Sequence, residues 1–179
     1  MRKTFWLTLT TMTLALAGLP AAQQTTQVHP GKGGSPHVRT AWTIDGAAIS
    51  VTYGRPSLRG RPEAQLMPPG QPWRTGADEA TTLETDRALT FGTLTVPAGT
   101  YTLFTIPGEA AWTLIVSRQT GQWGTMYDAS QDLGRVPMAL GRTAAPVEQL
   151  TISIDDTAAG ATLRIEWGTA SATVPFTVG

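Results

Sequence analysis

The strongest constraint on the fold is a period of two in the apolar residues. Val38, Thr40, Trp42 and Ile44 share one parity, and Ile49, Val51 and Tyr53 resume it after Asp45-Gly46. Leu89 and Phe91 are separated from Leu94 and Val96 by Gly92. Tyr101 to Ile106 alternates with threonine. The pattern returns at Trp112, Leu114 and Val116, at Leu150, Ile152 and Ile154, at Leu163, Ile165 and Trp167, and at Val174, Phe176 and Val178. Successive side chains of a strand point to opposite faces, so this alternation reads as half-buried strands. Pro97-Ala98-Gly99, Pro107-Gly108 and residues 155–160 punctuate the runs as turns. Short strands at even spacing predict an all-β chain, a single antiparallel β-sandwich of immunoglobulin-like or jelly-roll-like type. Asp45-Gly46 predicts a tight hairpin turn. Pro175 lacks an N–H and is expected on an edge strand. No window supports a long amphipathic helix, and residues 128–133 offer one helical turn at most.

The first residues carry a different signal. Arg2 and Lys3 precede an uncharged apolar run from Phe5 to Ala17, followed by small residues at Gly18, Ala21 and Ala22. A membrane-spanning helix needs about 20 apolar residues. The run is too short for that and reads as a secretory signal peptide over 1–22, cleaved between Ala17 and Gln24. Residues 23–36, rich in Gln, Thr, Gly and Pro, are expected to form a flexible linker. Residues 37–179 form the β-sandwich domain, with no transmembrane segment expected in the mature chain. Export to the periplasm or outer cell surface follows.

Composition narrows the chemistry. The chain has no cysteine, so disulfides, thiolate metal sites and thiol catalysis are excluded. Formal net charge is zero over the whole chain. Without Arg2 and Lys3 the mature chain is slightly acidic, which argues against nucleic acid as a partner. No G-x-S-x-G elbow occurs, and no glycine-rich phosphate loop leads into a helix.

Two segments resist the strand pattern, 54–76 and 120–142. Long irregular loops in compact domains are often functional. The first is rich in proline, glycine and arginine and runs into Pro72-Trp73-Arg74-Thr75-Gly76-Ala77-Asp78-Glu79. Tyr53, Arg55, Arg61, Trp73, Arg74, Asp78, Glu79 and Thr81 form the candidate ligand-binding set, because guanidinium forks beside aromatic faces suit a carboxylate, a phosphate or a sugar. The alternative is structural: the arginines pair with Asp78 and Glu79 and pin the loop, with Arg74 directed at Glu79 first and Asp78 second. Adjacent residues on a strand point apart, so Asp78 and Glu79 are not expected to share one substrate. Thr75-x-x-Asp78 also fits a helix capping box. Trp42, Trp112 and Trp167 belong to the core pattern, whereas Trp73 and Trp123 are surface or ligand candidates.

The only histidines, His29 and His37, frame the sequence HPGKGGSPH. Imidazole suits copper or zinc. Two histidines without cysteine leave a site incomplete, so a carboxylate or another donor must finish it. No cofactor is expected on balance, with copper at His29 and His37 the alternative.

The motifs VTYGRPSLRGR at 51–61, GQPWRTGADEATTL at 70–83, VPAGTYTLFTIPG at 96–108, WTLIVSRQTGQWG at 112–124 and GATLRIEWG at 160–168 together resemble the secreted bacterial family called domain of unknown function 2911. The resemblance runs from about Pro36 to Phe176. It implies an exported, mostly β domain and no established reaction. The chain departs from the family's usual pattern near Met126-Tyr127 and at Asp78, where asparagine is common. The leading expectation is a binding or structural module of the cell envelope, with an envelope protein or a small anionic or sugar ligand as partner. A metal-dependent copper oxidoreductase of superoxide-dismutase-like type and a hydrolase using the 73–81 loop are the alternatives.

Overall fold

The computed structural model describes residues 23–179, so the expected leader over 1–22 lies outside the described residues. Ten strands form one antiparallel sheet: β1 (Gln24–His29), β2 (His37–Ile44), β3 (Ala47–Gly54), β4 (Thr82–Thr85), β5 (Leu89–Phe91), β6 (Leu94–Val96), β7 (Gly99–Ile106), β8 (Ala111–Ser117), β9 (Asp132–Thr157) and β10 (Gly160–Val178). Their order across the sheet is β1-β2-β3-β4-β7-β8-β9-β10-β5-β6. A single-turn helix α1 (Glu63–Leu66) and a 3-10 turn at Ala129–Gln131 are the helical pieces among the described residues. The all-β reading is therefore met, with an arrangement consistent with a β-sandwich.

The alternation decides which side chains are inside. Val38, Thr40, Trp42 and Ile44 of β2 are all buried, as are Ile49, Val51 and Tyr53 of β3. Asp45 and Gly46 have φ of 48° and 77°, the pair of positive values that a two-residue type I′ hairpin requires. The long β9–β10 hairpin brings the far half of the sheet across β3. There the buried Ile152 N–H donates to the Tyr53 hydroxyl at 2.9 Å. Register shifts between Glu166, Gly168 and Ala170 mark the irregular part of β10, and bulges of this kind bend a strand.

Three expectations change. The segment 23–36 is not a linker throughout, because residues 24–29 form β1 on the sheet edge. An edge strand needs backbone partners, not apolar content, and β2 supplies the ladder. The second irregular segment ends early, since β9 starts at Asp132 and pairs with β8. Pro175 is not on an edge strand, because β10 lies between β9 and β5. β10 pairs with β9 as far as Thr173 and with β5 from Thr177. Pro175 falls between these ladders, where its missing N–H costs no sheet hydrogen bond.

Candidate metal centre

A bulge in the edge strand builds the first half of the site. Gln27 pairs with Val38, yet His29 and not Val28 stands opposite His37. The extra residue swings an imidazole into the place an exposed valine would take. The two rings stack, with centroids 4.2 Å apart and planes 18° from parallel. His37 pairs on its other side with Gly54 of β3. A Cβ at position 54 would overlap the Ala77 carbonyl oxygen and lie 2.7 Å from His37 Nε2. Glycine is the residue that leaves room for both. Beyond β1, Gly31 has φ 71° and its N–H donates to His29 Nδ1 at 3.1 Å.

The 73–81 loop supplies the second half. Thr75 and Asp78 have φ of 52° and 61°, a region that non-glycine residues seldom enter and that costs on the order of 1–3 kcal/mol per residue. Thr75 is held there by its buried hydroxyl, 3.0 Å from Thr105 Oγ1 and 3.2 Å from the Trp73 carbonyl. The Thr81 hydroxyl lies 2.9 Å from the Thr75 carbonyl and 3.1 Å from that of Arg74. The left-handed turn at Asp78 breaks the alternation that would send neighbouring carboxylates to opposite faces. Both carboxylates therefore approach one atom: Glu79 Oε2 is 3.0 Å and Asp78 Oδ2 is 3.6 Å from His37 Nε2. Glu79 Oε2 is also 3.8 Å from His29 Nε2. Asp78 Oδ2 accepts the Lys32 backbone N–H at 2.8 Å, tying the β1–β2 loop to the same cluster.

His37 is only 3% exposed. Its Nε2 is buried, and neither Glu79 at 3.0 Å nor Asp78 at 3.6 Å meets the geometry of a hydrogen bond, although the Asp78 carboxylate lies near enough to pull on the ring's proton. Burial lowers the pKa of this ring, against the opposing pull of Glu79 and Asp78, and the neighbouring His29 lowers it further. His37 is thus a neutral imidazole at pH 7. Donor atoms of His29, His37 and Glu79 all lie within 4.8 Å of one another. Buried polar nitrogens are ordinarily satisfied, so an unbonded Nε2 facing a second imidazole and two carboxylates fits a cation.

The remaining sequence candidates divide. Tyr53, Arg55 and Thr81 are structural. Tyr53 is bonded to Ile152, and Arg55 donates from Nε to the Leu150 carbonyl at 3.0 Å and from Nη2 to Thr151 Oγ1 at 3.0 Å. Trp73 is buried, not a surface residue, and stacks on Trp167 at 5.7 Å with its edge toward Trp112 at 6.1 Å. Trp123 is exposed, with the Lys32 ammonium 5.1 Å from its ring. Arg74 does not pair with Glu79 or Asp78: its Nε donates to the Gly76 carbonyl at 3.2 Å. No helix follows Thr75, and Glu79 instead forms an isolated bridge with Trp123. Arg61 and Arg74 line a cavity that also touches Asp78.

Sequence reading named both histidines and both carboxylates but put them in separate proposals. Gly54, which admits His37, and the bulge at Val28 went unnoticed. A glycine closing an otherwise alternating strand was the available signal for the former.

No curated protein and no solved structure matches the chain significantly. The family model described as "Protein of unknown function (DUF2911)" matches residues 35–176, which hold His37, Gly54, Asp78 and Glu79 and leave His29 just outside. With most of its length matched, including the carboxylate loop and the buried histidine, the chain belongs to the DUF2911 family.

Proposed function

We propose that the protein is an exported cell-envelope domain that binds a divalent transition-metal ion through His37, Glu79 and His29, with Asp78 alongside. The observation that carries this reading is the buried, unbonded His37 Nε2 facing two carboxylates and a second imidazole. With metal–ligand bonds of about 2.0–2.2 Å, donors around a tetrahedral ion stand about 3.3–3.6 Å apart. The His37–Glu79 and His29–Glu79 separations, 3.0 and 3.8 Å, bracket that range. Two nitrogens and carboxylate oxygens, with no thiolate, suit Cu(II) and Zn(II), and Cu(II) binds more tightly in such sets. The basic pair, short apolar run and small residues at the N-terminus support export.

The two histidines play unequal parts. His37 and Glu79 sit on a strand and a braced loop. His29 is part-exposed at the end of β1, and stacked rings aim their lone pairs side by side, not at one point. A shared ion requires His29 to tilt. Its Nδ1 accepts the Gly31 N–H, which places the neutral ring's proton on Nε2. To hold an ion through Nε2, His29 would carry its proton on Nδ1 instead, which would give up the Gly31 contact. Three protein donors leave coordination positions free for a small exogenous ligand, as in catalytic metal sites. The loop considered for a hydrolase supplies this centre with its carboxylates.

Metal content decides the matter. Protein exposed to one equivalent of Cu(II) or Zn(II) and then desalted should retain about one ion per chain. His37→Ala and the fold-sparing Glu79→Gln should each lose it. A wild-type chain that retains no ion, or folded variants that retain it fully, refutes the reading.

A further inference from the structure

Beside the histidine cluster lies a cavity of about 530 Å³, walled by the β1–β2 loop, the loop after β3 and the 73–81 loop. Four cationic residues, Lys32, Arg59, Arg61 and Arg74, and a single acid, Asp78, line it. That excess stands in a chain whose formal charges cancel. Among the described residues, Arg39, Arg135 and Arg164 pair with Glu84, Asp132 and Asp155, whereas none of the four cavity cations forms a carboxylate pair. Backbone carbonyls hold these guanidinium groups instead. Arg61 donates to Leu58 at 2.9 Å and to Ser57 at 2.7 Å, and Arg74 donates to Gly76 at 3.2 Å. A carbonyl orients a guanidinium without cancelling its charge, and each group keeps further N–H donors for a ligand. Arg59 sits in a left-handed conformation with φ 52°, the kind of local strain that collects at binding sites. The indoles of Trp73 and Trp167, stacked on each other, contribute to the lining.

We infer that this cavity binds a small organic anion, with a carboxylate or phosphate group held by Arg59, Arg61 and Arg74 and a flat or apolar body against the part-exposed Leu66 and Tyr127 of the lining. Arginine forks match planar carboxylates and phosphates through paired N–H bonds. Guanidiniums already fixed by backbone carbonyls lose little freedom when the anion arrives. His29, His37 and Glu79 do not line the cavity, so anion binding does not depend on the metal reading.

The test uses chelator-treated wild-type protein in 150 mM NaCl, titrated with phenyl phosphate, benzoate and the neutral phenyl glucoside. Tryptophan fluorescence and calorimetry are the readouts. At least one of the two anions should bind, with the glucoside at least tenfold weaker. Arg61→Gln and Arg59→Gln replace exposed side chains, and each should weaken the bound anion about tenfold, as should Arg74→Gln, for the loss of a charge-assisted hydrogen bond. Thermal melts confirm that the variants fold, and Arg164→Gln, at a paired arginine outside the cavity, should bind the anion as wild type does. Absence of binding by both anions, equal binding of the glucoside, or affinity unchanged in all three arginine variants overturns the proposal. Because the protein is stripped of metal, such a failure leaves the metal centre standing, and loss of metal binding leaves this pocket standing.

Discussion

Glu79→Gln separates a metal ligand from a structural carboxylate. The Glu79 side chain is 51% exposed, and its contacts are the two imidazoles. Its backbone bridge to Trp123 survives the substitution. Exposed ion contacts contribute about 0–1 kcal/mol, so the metal-free variant should melt within about 4 °C of wild type. The metal-loaded protein should behave differently. An ion present at 100 times its dissociation constant stabilises the native state by about 2.7 kcal/mol. For a chain of 179 residues this raises the melting temperature by about 5–10 °C. Amide oxygen is a weaker donor than carboxylate and carries no charge, so the variant should lose most of that rise. Differential scanning calorimetry with and without Zn(II) reads both quantities at once. A variant that keeps the full metal-induced rise shows that Glu79 is no ligand, and one that collapses without metal shows that its role is structural.

Arg74→Ala removes a hydrogen bond to a carbonyl and not a buried ion pair, so urea unfolding should show a loss of about 1 kcal/mol and not the 3–5 kcal/mol of a broken buried pair. Tyr53→Phe leaves the buried Ile152 N–H without its acceptor and should cost about 1–3 kcal/mol while leaving metal stoichiometry unchanged. His37 titrates below its ordinary 6.5 because it is buried. As pH falls through about 6.5 the unfolded chain takes up a proton that the folded chain refuses. Metal-free stability should therefore decline from pH 7 toward pH 5.5, and the decline should be shallower in His37→Gln. Identical pH profiles for the two proteins would contradict the assignment of a neutral buried ring.

The fold was legible because its signal is local. Alternation at Val38–Ile44 and Ile49–Tyr53 fixes which faces are buried, and Asp45-Gly46 fixes the turn between them. The site was only half legible because its assembly depends on departures from that alternation. A rule that sends Asp78 and Glu79 to opposite faces holds in a strand and fails at φ 61°. The same rule puts Val28 opposite His37, and one bulged residue replaces it with His29. Low apolar content suggested a linker at 24–29, but an edge strand is held by backbone bonds that composition does not report. Trp73 reads as a surface or ligand candidate because it lies in an irregular segment, yet its ring is enclosed by Trp112 and Trp167 from distant strands.

Asp78 belongs to both proposed sites, so it should couple them. Its Oδ2 stands 3.6 Å from His37 Nε2, and its residue is the one acid on the wall of the cationic cavity. An ion at the histidines offsets the field of this carboxylate and so favours an anion next door. By reciprocity the anion favours the ion by the same factor. Two unit charges on the order of 8 Å apart interact by about 0.5–2 kcal/mol at effective dielectric constants of 80 to 20, a change of roughly 2- to 30-fold in affinity. Asn tolerates the left-handed backbone as Asp does, so Asp78→Asn should keep the loop. The variant should bind the anion more tightly than wild type without metal, and added Zn(II) should improve its affinity less. Anion titrations of both proteins, with and without Zn(II), at 50 and 300 mM salt measure this directly. The gain should shrink at the higher salt, because screening shortens the reach of exposed charges. An unchanged or weakened anion affinity in metal-free Asp78→Asn would show that the carboxylate does not face the bound anion, and the coupling would be lost with it.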